Sequence, residues 1–192
     1  MDRYRPIDYV PPEDTCPFWL GGNPPVTAQA QFDNGTNSRF FVCLPAPVSS
    51  SERLSVFLHF DMNQSFELSE TWQQSGAVIE ALIHQPGRRT SDSSWVSELS
   101  PAGVTLGRWI DDVADDPAFV AKLHGEPALE SSILGRIPRK LGLRHYFQLP
   151  FRAGPADYVF SGTWPFNGGQ LNGFYAGEGE NPSDWWFVWT HS

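Results

Sequence analysis

The sequence predicts an α+β fold: a mostly antiparallel β-sheet built from two related β-rich halves, with one or two helices between them. Three observations predict it. Aromatic residues make up 14% of the chain and charged residues only 18%, a balance that suits pleated, half-buried strands better than long solvated helices. The 17 Gly and 17 Pro punctuate the chain densely. Between these breakers the apolar residues fall in short runs rather than long periodic ones. The length of 192 residues suits one domain that buries well over half of its unfolded surface.

Residues 1 to 17 are polar and Pro-rich and read as an arm laid over the surface. Gly21-Gly22 and Pro24-Pro25 force a turn in "FWLGGNPP". Val26 to Phe32 reads as a strand, closed by the turn residues "DNGTNS". "RFFVCLP" (Arg39 to Pro45) and "LSVFLHF" (Leu54 to Phe60) are apolar runs of strand length. "AVIEALIH" is bracketed by Gly76 and by Pro86-Gly87, which favours a strand, and 87–103 reads as a loop. In "TLGRWIDDVADDPAFVAKL", Trp109, Ile110, Val113, Val120 and Leu123 recur near helical spacing, and Pro117 suits the first position of a second helix. Residues 128–134 add a further helical turn, so the helical segment spans about 105–134. Strands return at 143–149, 157–161, 170–175 and 184–190. The last of these, "DWWFVWT", is apolar on both faces, as befits a strand covered on both sides.

The two halves, about 18–86 and about 120–192, share a trace. Gly22-Asn23-Pro24 precedes Arg39-Phe-Phe-Val-Cys-Leu-Pro45, and Gly125-Glu126-Pro127 precedes Arg144-His-Tyr-Phe-Gln-Leu-Pro150. The separations from proline to proline are 21 and 23, the kind of trace a duplicated supersecondary unit leaves. With Gly21, Gly22, Pro24, Gly125, Pro127, Gln148, Leu149 and the later Gly168-Gly169, the chain resembles the YwqG-like family, itself distantly similar to programmed-cell-death-protein-2-like proteins. The chain departs from that pattern at Cys43, where a Gln is expected, and in the single Gly of the second turn. The resemblance implies two related β-rich halves, no established reaction, and a neighbourhood of bacterial toxin systems.

Charge and motifs narrow the function. A net charge of −9 repels phosphate backbones, which argues against nucleic-acid and anionic-membrane binding and is compatible with a basic protein partner. No apolar run is long enough to span a bilayer, and no signal-type stretch opens the chain. Cys16 and Cys43 form no C-x-x-C pair, so the reading is a cytoplasmic protein with reduced thiols. Neither a G-x-S-x-G elbow nor a phosphate-binding glycine loop occurs.

Three readings follow. The first is a non-enzymatic intracellular binding protein, an immunity-type inhibitor that holds a basic toxin on an acidic surface made of Asp111, Asp112, Asp115, Asp116, Glu178, Glu180 and Asp184, with no cofactor or metal. The second is a carbohydrate-binding module that uses Trp164, Tyr175, Trp185, Trp186 and Trp189. The third is a small metal-dependent enzyme around His59 and Asp61, which share a strand face, with Glu80 or His84 as a third ligand. His124 reads as a cation closing a helix, and His145 as a hydrogen-bonded residue of an aromatic strand.

Overall fold

The computed structural model describes residues 3–31, 38–49, 51–59, 70–91, 99–111, 121–129, 133, 141–150 and 169–190. They form a nearly closed, barrel-like antiparallel sheet of β class, not the expected α+β fold. Its strands are β1 (Arg3–Val10), β2 (Trp19–Leu20), β3 (Arg39–Pro45), β4 (Arg53–Leu58), β5 (Gln73–Gln74), β6 (Ile79–His84), β7 (Ala102–Leu106), β8 (Ile110–Asp111), β9 (Lys122–His124), β10 (Arg144–Pro150), β11 (Gln170–Tyr175) and β12 (Trp185–Thr190). The pairing order is β5-β12-β11-β10-β9-β1-β7-β2-β3-β4-β6, with β8 on the end of β1. The first and last strands of that order are joined by residues 75–78, where Ser75 N–H donates to Trp185 O and Ala81 N–H donates to Ser75 Oγ, so the ends of the sheet meet.

Three expectations are corrected. In place of the helix over 105–134, the described residues of that segment form the end of β7, then β8 and β9 with irregular connections, apart from Ile133, which is helical. Val104 hydrogen-bonds Phe18 O, β8 and β9 pair with β1, and Trp109 and Ile110 are 45% and 46% exposed instead of lining a buried helical stripe. Within the polar arm expected at 1–17, residues 3–10 form the central strand β1, while 11–17 are largely exposed: Tyr4, Ile7 and Tyr9 are buried, and β1 pairs with β7 on one side and β9 on the other. Pro6 does not break it, because Ile7 N–H carries the next bond, to Ala121 O. Val26–Gln29 is a single helical turn, α1, not a strand. Pro25 O accepts from Ala28 N–H and Gln29 N–H, and the Thr27 hydroxyl is tied down by Gln85 O at 2.8 Å. The expected strand at 157–161 lies outside the described residues.

Across the sheet, β2-β3-β4-β6 and β9-β10-β11-β12 run in the same order. Leu20 pairs with Val42 as Leu123 pairs with Phe147, three positions after Arg39 and Arg144. Each Arg-led strand carries its register shift at the same place, between Phe40 and Val42 and between His145 and Phe147. After Leu20 and after Leu123 the chain takes two left-handed residues, Gly21 and Gly22 at φ 67° and 68°, and His124 and Gly125 at φ 62° and 73°. Val104 N–H bonds Phe18 O as Ile7 N–H bonds Ala121 O, so the correspondence continues into the central pair and centres on Asp8 opposite Thr105.

The inner face of the barrel is the main core. Val42, Leu44, Leu54, Val56 and Ala81 from one half meet Phe147, Leu149, Leu171, Trp185, Phe187 and Trp189 from the other. The outer faces are covered locally, by Ala28 over Trp19, Cys43 and Leu82, and by Leu129 and Ile133 over Phe174 and Val188. Polar side chains buried on the outer face of the second half hold that cover in place: Gln148 Oε1 accepts from Ala128 N–H and Gln170 Nε2 donates to Ala128 O, each at 2.8 Å.

Candidate functional site

One groove takes in two arginines that tie down Asp111 and the turn carrying Glu178 and Glu180; the carboxylate in its wall is Glu126, and Asp184 lies outside that wall. The groove holds about 450 Å³ and runs between Arg3 on β1 and Arg144 on β10, floored by His124, Gly125, His145 and Tyr175. Each arginine anchors a rim. Arg3 Nε pairs with Asp111 at 3.3 Å, which fixes the turn 107–111 along one side. Arg144 donates to Gly177 O and stacks over Tyr175, with its guanidinium carbon 4.5 Å from the ring centroid, which fixes the turn carrying Glu178 and Glu180 along the other.

The rims expose apolar surface beside these charges. Trp109 and Ile110 stand on one rim, and Leu141, 41% exposed, precedes Leu143 of the groove wall. Trp109 is held in place: the Arg5 guanidinium lies 5.9 Å from its ring centre on a side chain tied to Gly107 O, and the His124 ring packs against it, tilted by 34° with centroids 5.3 Å apart. His124 in turn meets Tyr146 edge-on at 5.0 Å.

His124 is the strained residue of the site. It takes the left-handed conformation where the corresponding position of the first half is Gly21, and a side chain with a Cβ pays about 1 kcal/mol or more there. It closes a strand, so the expected helix-capping role does not apply. Burial lowers its pKa, and the nearby guanidinium groups of Arg5 and Arg144 lower it further, so the imidazole in the groove is neutral near pH 7. Burial also pushes His145 down to about 4, against the pull of Gly125 O and Phe147 O, each 2.9 Å from a ring nitrogen.

The residues named from sequence divide as follows. Asp111 is exposed and already paired with Arg3. Glu178 and Glu180 are exposed in the rim turn. Asp184 is half-buried and caps the short 3-10 turn Pro182–Asp184, accepting from Asn181 N–H and Asn181 Nδ2 at 3.1 Å each. Asp112, Asp115 and Asp116 lie outside the described residues. Trp185, Trp189 and Tyr175 are buried in the core, Trp186 is half-buried, and Trp164 lies outside the described residues. His59 faces Glu80 through Nε2 at 2.8 Å and Ser38 through Nδ1 at 2.9 Å, while Asp61 is not among the described residues. His84 is buried instead, accepting from Ser55 Oγ through Nε2 while Nδ1–H donates to Gln85 O, and burial lowers its pKa. Among the described residues no group of three His, Cys, Asp or Glu side chains is placed to hold a metal ion.

Arg3, Arg144, Trp109 and His124 carried no functional signal in the sequence. Arg3 and Arg144, far apart in the chain, come to line one groove only through the pairing of β1, β9 and β10, and no short-range spacing encodes that. No family model, curated protein or solved structure matches the chain.

Proposed function

We propose that the chain is a non-enzymatic binding protein, an immunity-type inhibitor that docks a basic toxin protein on the groove between Arg3 and Arg144. The observation that carries this reading is the exposed Trp109, held by Arg5 and by the groove residue His124, beside the exposed Ile110, while Arg144 of the same groove holds the turn that exposes Glu178 and Glu180. A Trp–Arg–Tyr surface bordered by carboxylates has the composition of a binding hot spot, in which the aromatic anchor supplies affinity and the charges steer the approach. The net charge of −9 adds long-range attraction for a basic partner. The acidic side contributes mainly through Glu178 and Glu180, because Asp111 and Asp184 are engaged within the chain. The free thiols of Cys16 and Cys43 suit a reducing compartment, and among the described residues no helix is long and apolar enough to cross a membrane. A carbohydrate platform draws less support, since Trp185 and Trp189 are 0% and 1% exposed.

The test is calorimetry against the product of the neighbouring gene, with growth of cells expressing that product as a second readout. The wild-type chain should bind and protect. Trp109→Ala and the Glu178→Lys/Glu180→Lys pair should each weaken binding about tenfold or more with an unchanged melting temperature. An absence of both binding and protection removes the reading.

A further inference from the structure

A second cavity, of about 400 Å³, lies in the first half, between the N-terminal segment 13–17, the start of β4 and the loop 86–89. Arg53, Arg88 and Arg89 all line it, three of the 13 basic residues in a chain of net charge −9, while only Glu13 and Asp14 supply opposite charge in its wall. Two of the guanidinium carbons lie over adjacent aromatic rings, that of Arg53 4.9 Å from the Phe18 centroid, with its Nη1 also donating to Glu52 O, and that of Arg89 5.3 Å from the Trp19 centroid. A guanidinium packed against a ring loses little side-chain freedom on binding, and the N–H donors it has left can fork onto an oxyanion. Arg89 is also unfinished: its Nε is buried and meets no hydrogen-bond partner among the described residues, and neither Arg88 nor Arg89 is in an ion pair with a described residue. A buried charged donor without a partner is costly, and an anion beside the same guanidinium would offset part of that cost.

We infer that this cavity is a binding site for a small organic anion, one whose phosphate or carboxylate groups are received by Arg53, Arg88 and Arg89. It lies in the opposite half of the sheet from the groove and stands independently of the protein-binding reading. The volume admits a small molecule rather than a polymer, and the negative charge of the rest of the surface disfavours extended polyanions. The positions matching Trp19 and Arg53 by register in the second half are Lys122 and Gln170, both buried, so the arginine lining is a property of the first half alone.

The experiment is titration calorimetry of the full chain with inorganic phosphate and, separately, with succinate, each against chloride at equal ionic strength. One or both should give a saturable heat at one site per chain and raise the melting temperature. A response to phosphate alone assigns a phosphorylated ligand, and a response to succinate alone a carboxylated one. Arg88→Met, an exposed change, and Arg88→Met/Arg89→Met should weaken the response by about tenfold or more while the far-ultraviolet circular dichroism stays that of the wild type. No saturable heat with either anion, or equal binding by Arg88→Met, overturns the assignment.

Discussion

The hydroxyl of Tyr9 donates to the carbonyl oxygen of Pro150 at 3.1 Å, joining the central strand β1 to the end of β10. Tyr146 makes the matching tie, its hydroxyl donating to Pro45 O at the end of β3. Pro45 and Pro150 each close an Arg-led strand, so each half ends in a carbonyl that a tyrosine on another strand satisfies. Burial raises the pKa of both phenols, which keeps them protonated donors at neutral pH. Tyr9→Phe should therefore cost about 1–2 kcal/mol, the net worth of a buried hydrogen bond plus a stranded carbonyl. Urea denaturation checks it: a lower midpoint at unchanged slope is expected, and an unchanged midpoint contradicts the tie.

Acid should unfold the protein through His145. Its folded pKa is depressed to about 4, chiefly by burial, while the unfolded chain titrates near 6.5. Above about pH 6.5 both states are neutral and the group adds no slope. Between about 6.5 and 4 the unfolded chain takes up a proton that the native state refuses, so stability falls as the pH falls, by up to about 3 kcal/mol from this group. His84 and His124 are shifted the same way and steepen the decline. The position corresponding to His145 in the first half is Phe40, so His145→Phe places a residue the fold already accommodates there. In thermal melts from pH 7.5 to 4 the melting temperature of the wild type should fall more steeply than that of His145→Phe. Parallel curves would mean that His145 does not carry the acid transition.

The two halves solve one packing problem with different residues. Val42 faces Val56 on the inner face of the first half, and Phe147 faces Gly173 at the corresponding place in the second. A Cβ on Gly173 would stand 2.3 Å from Phe147 Cε1, so the glycine is required by the ring beside it. Gly173→Val alone should destabilise by about 3 kcal/mol through overpacking. Phe147→Val alone should cost about 2–3 kcal/mol through the cavity it leaves. The double variant restores the Val–Val pairing, so its loss should fall at least about 1 kcal/mol short of the sum. Additive losses in a double-mutant cycle would sink the correspondence at this position.

Sequence and structure agree where the signal is local. β3, β4, β6, β10, β11 and β12 are apolar runs bounded by Gly, Pro or Asn, and each falls close to its expected span. β1 was lost because Arg3, Arg5, Pro6 and Asp8 interrupt its alternation, and its strand character comes from partners about a hundred residues away. The 105–134 segment failed for the converse reason: the spacing of Trp109, Ile110 and Leu123 mimics a helix, but Leu123 packs in the barrel while Trp109 and Ile110 face solvent. Of the site, Asp111, Glu178 and Glu180 were legible as charge alone. The arginines that position those turns were not, since only the assembled sheet sets Arg3 across from Arg144.

His124 separates folding from binding. The residue sits at φ 62°, where the corresponding position of the first half is glycine, and its ring bridges Trp109 and Tyr146. Asn enters the left-handed region more readily than most residues with a side chain, so His124→Asn relieves backbone strain while removing the ring packed against Trp109. Relief of about 1 kcal/mol against a comparable loss of ring contact should leave stability within about 1 kcal/mol of wild type. Trp109, freed on one side, would then sample other rotamers, and binding of the proposed partner should weaken about tenfold, with the loss appearing as faster dissociation. Surface plasmon resonance alongside urea denaturation reads both quantities. A variant that loses several kcal/mol of stability would make His124 a structural residue, and one that binds as tightly as wild type would remove the His124–Trp109 contact from the binding surface.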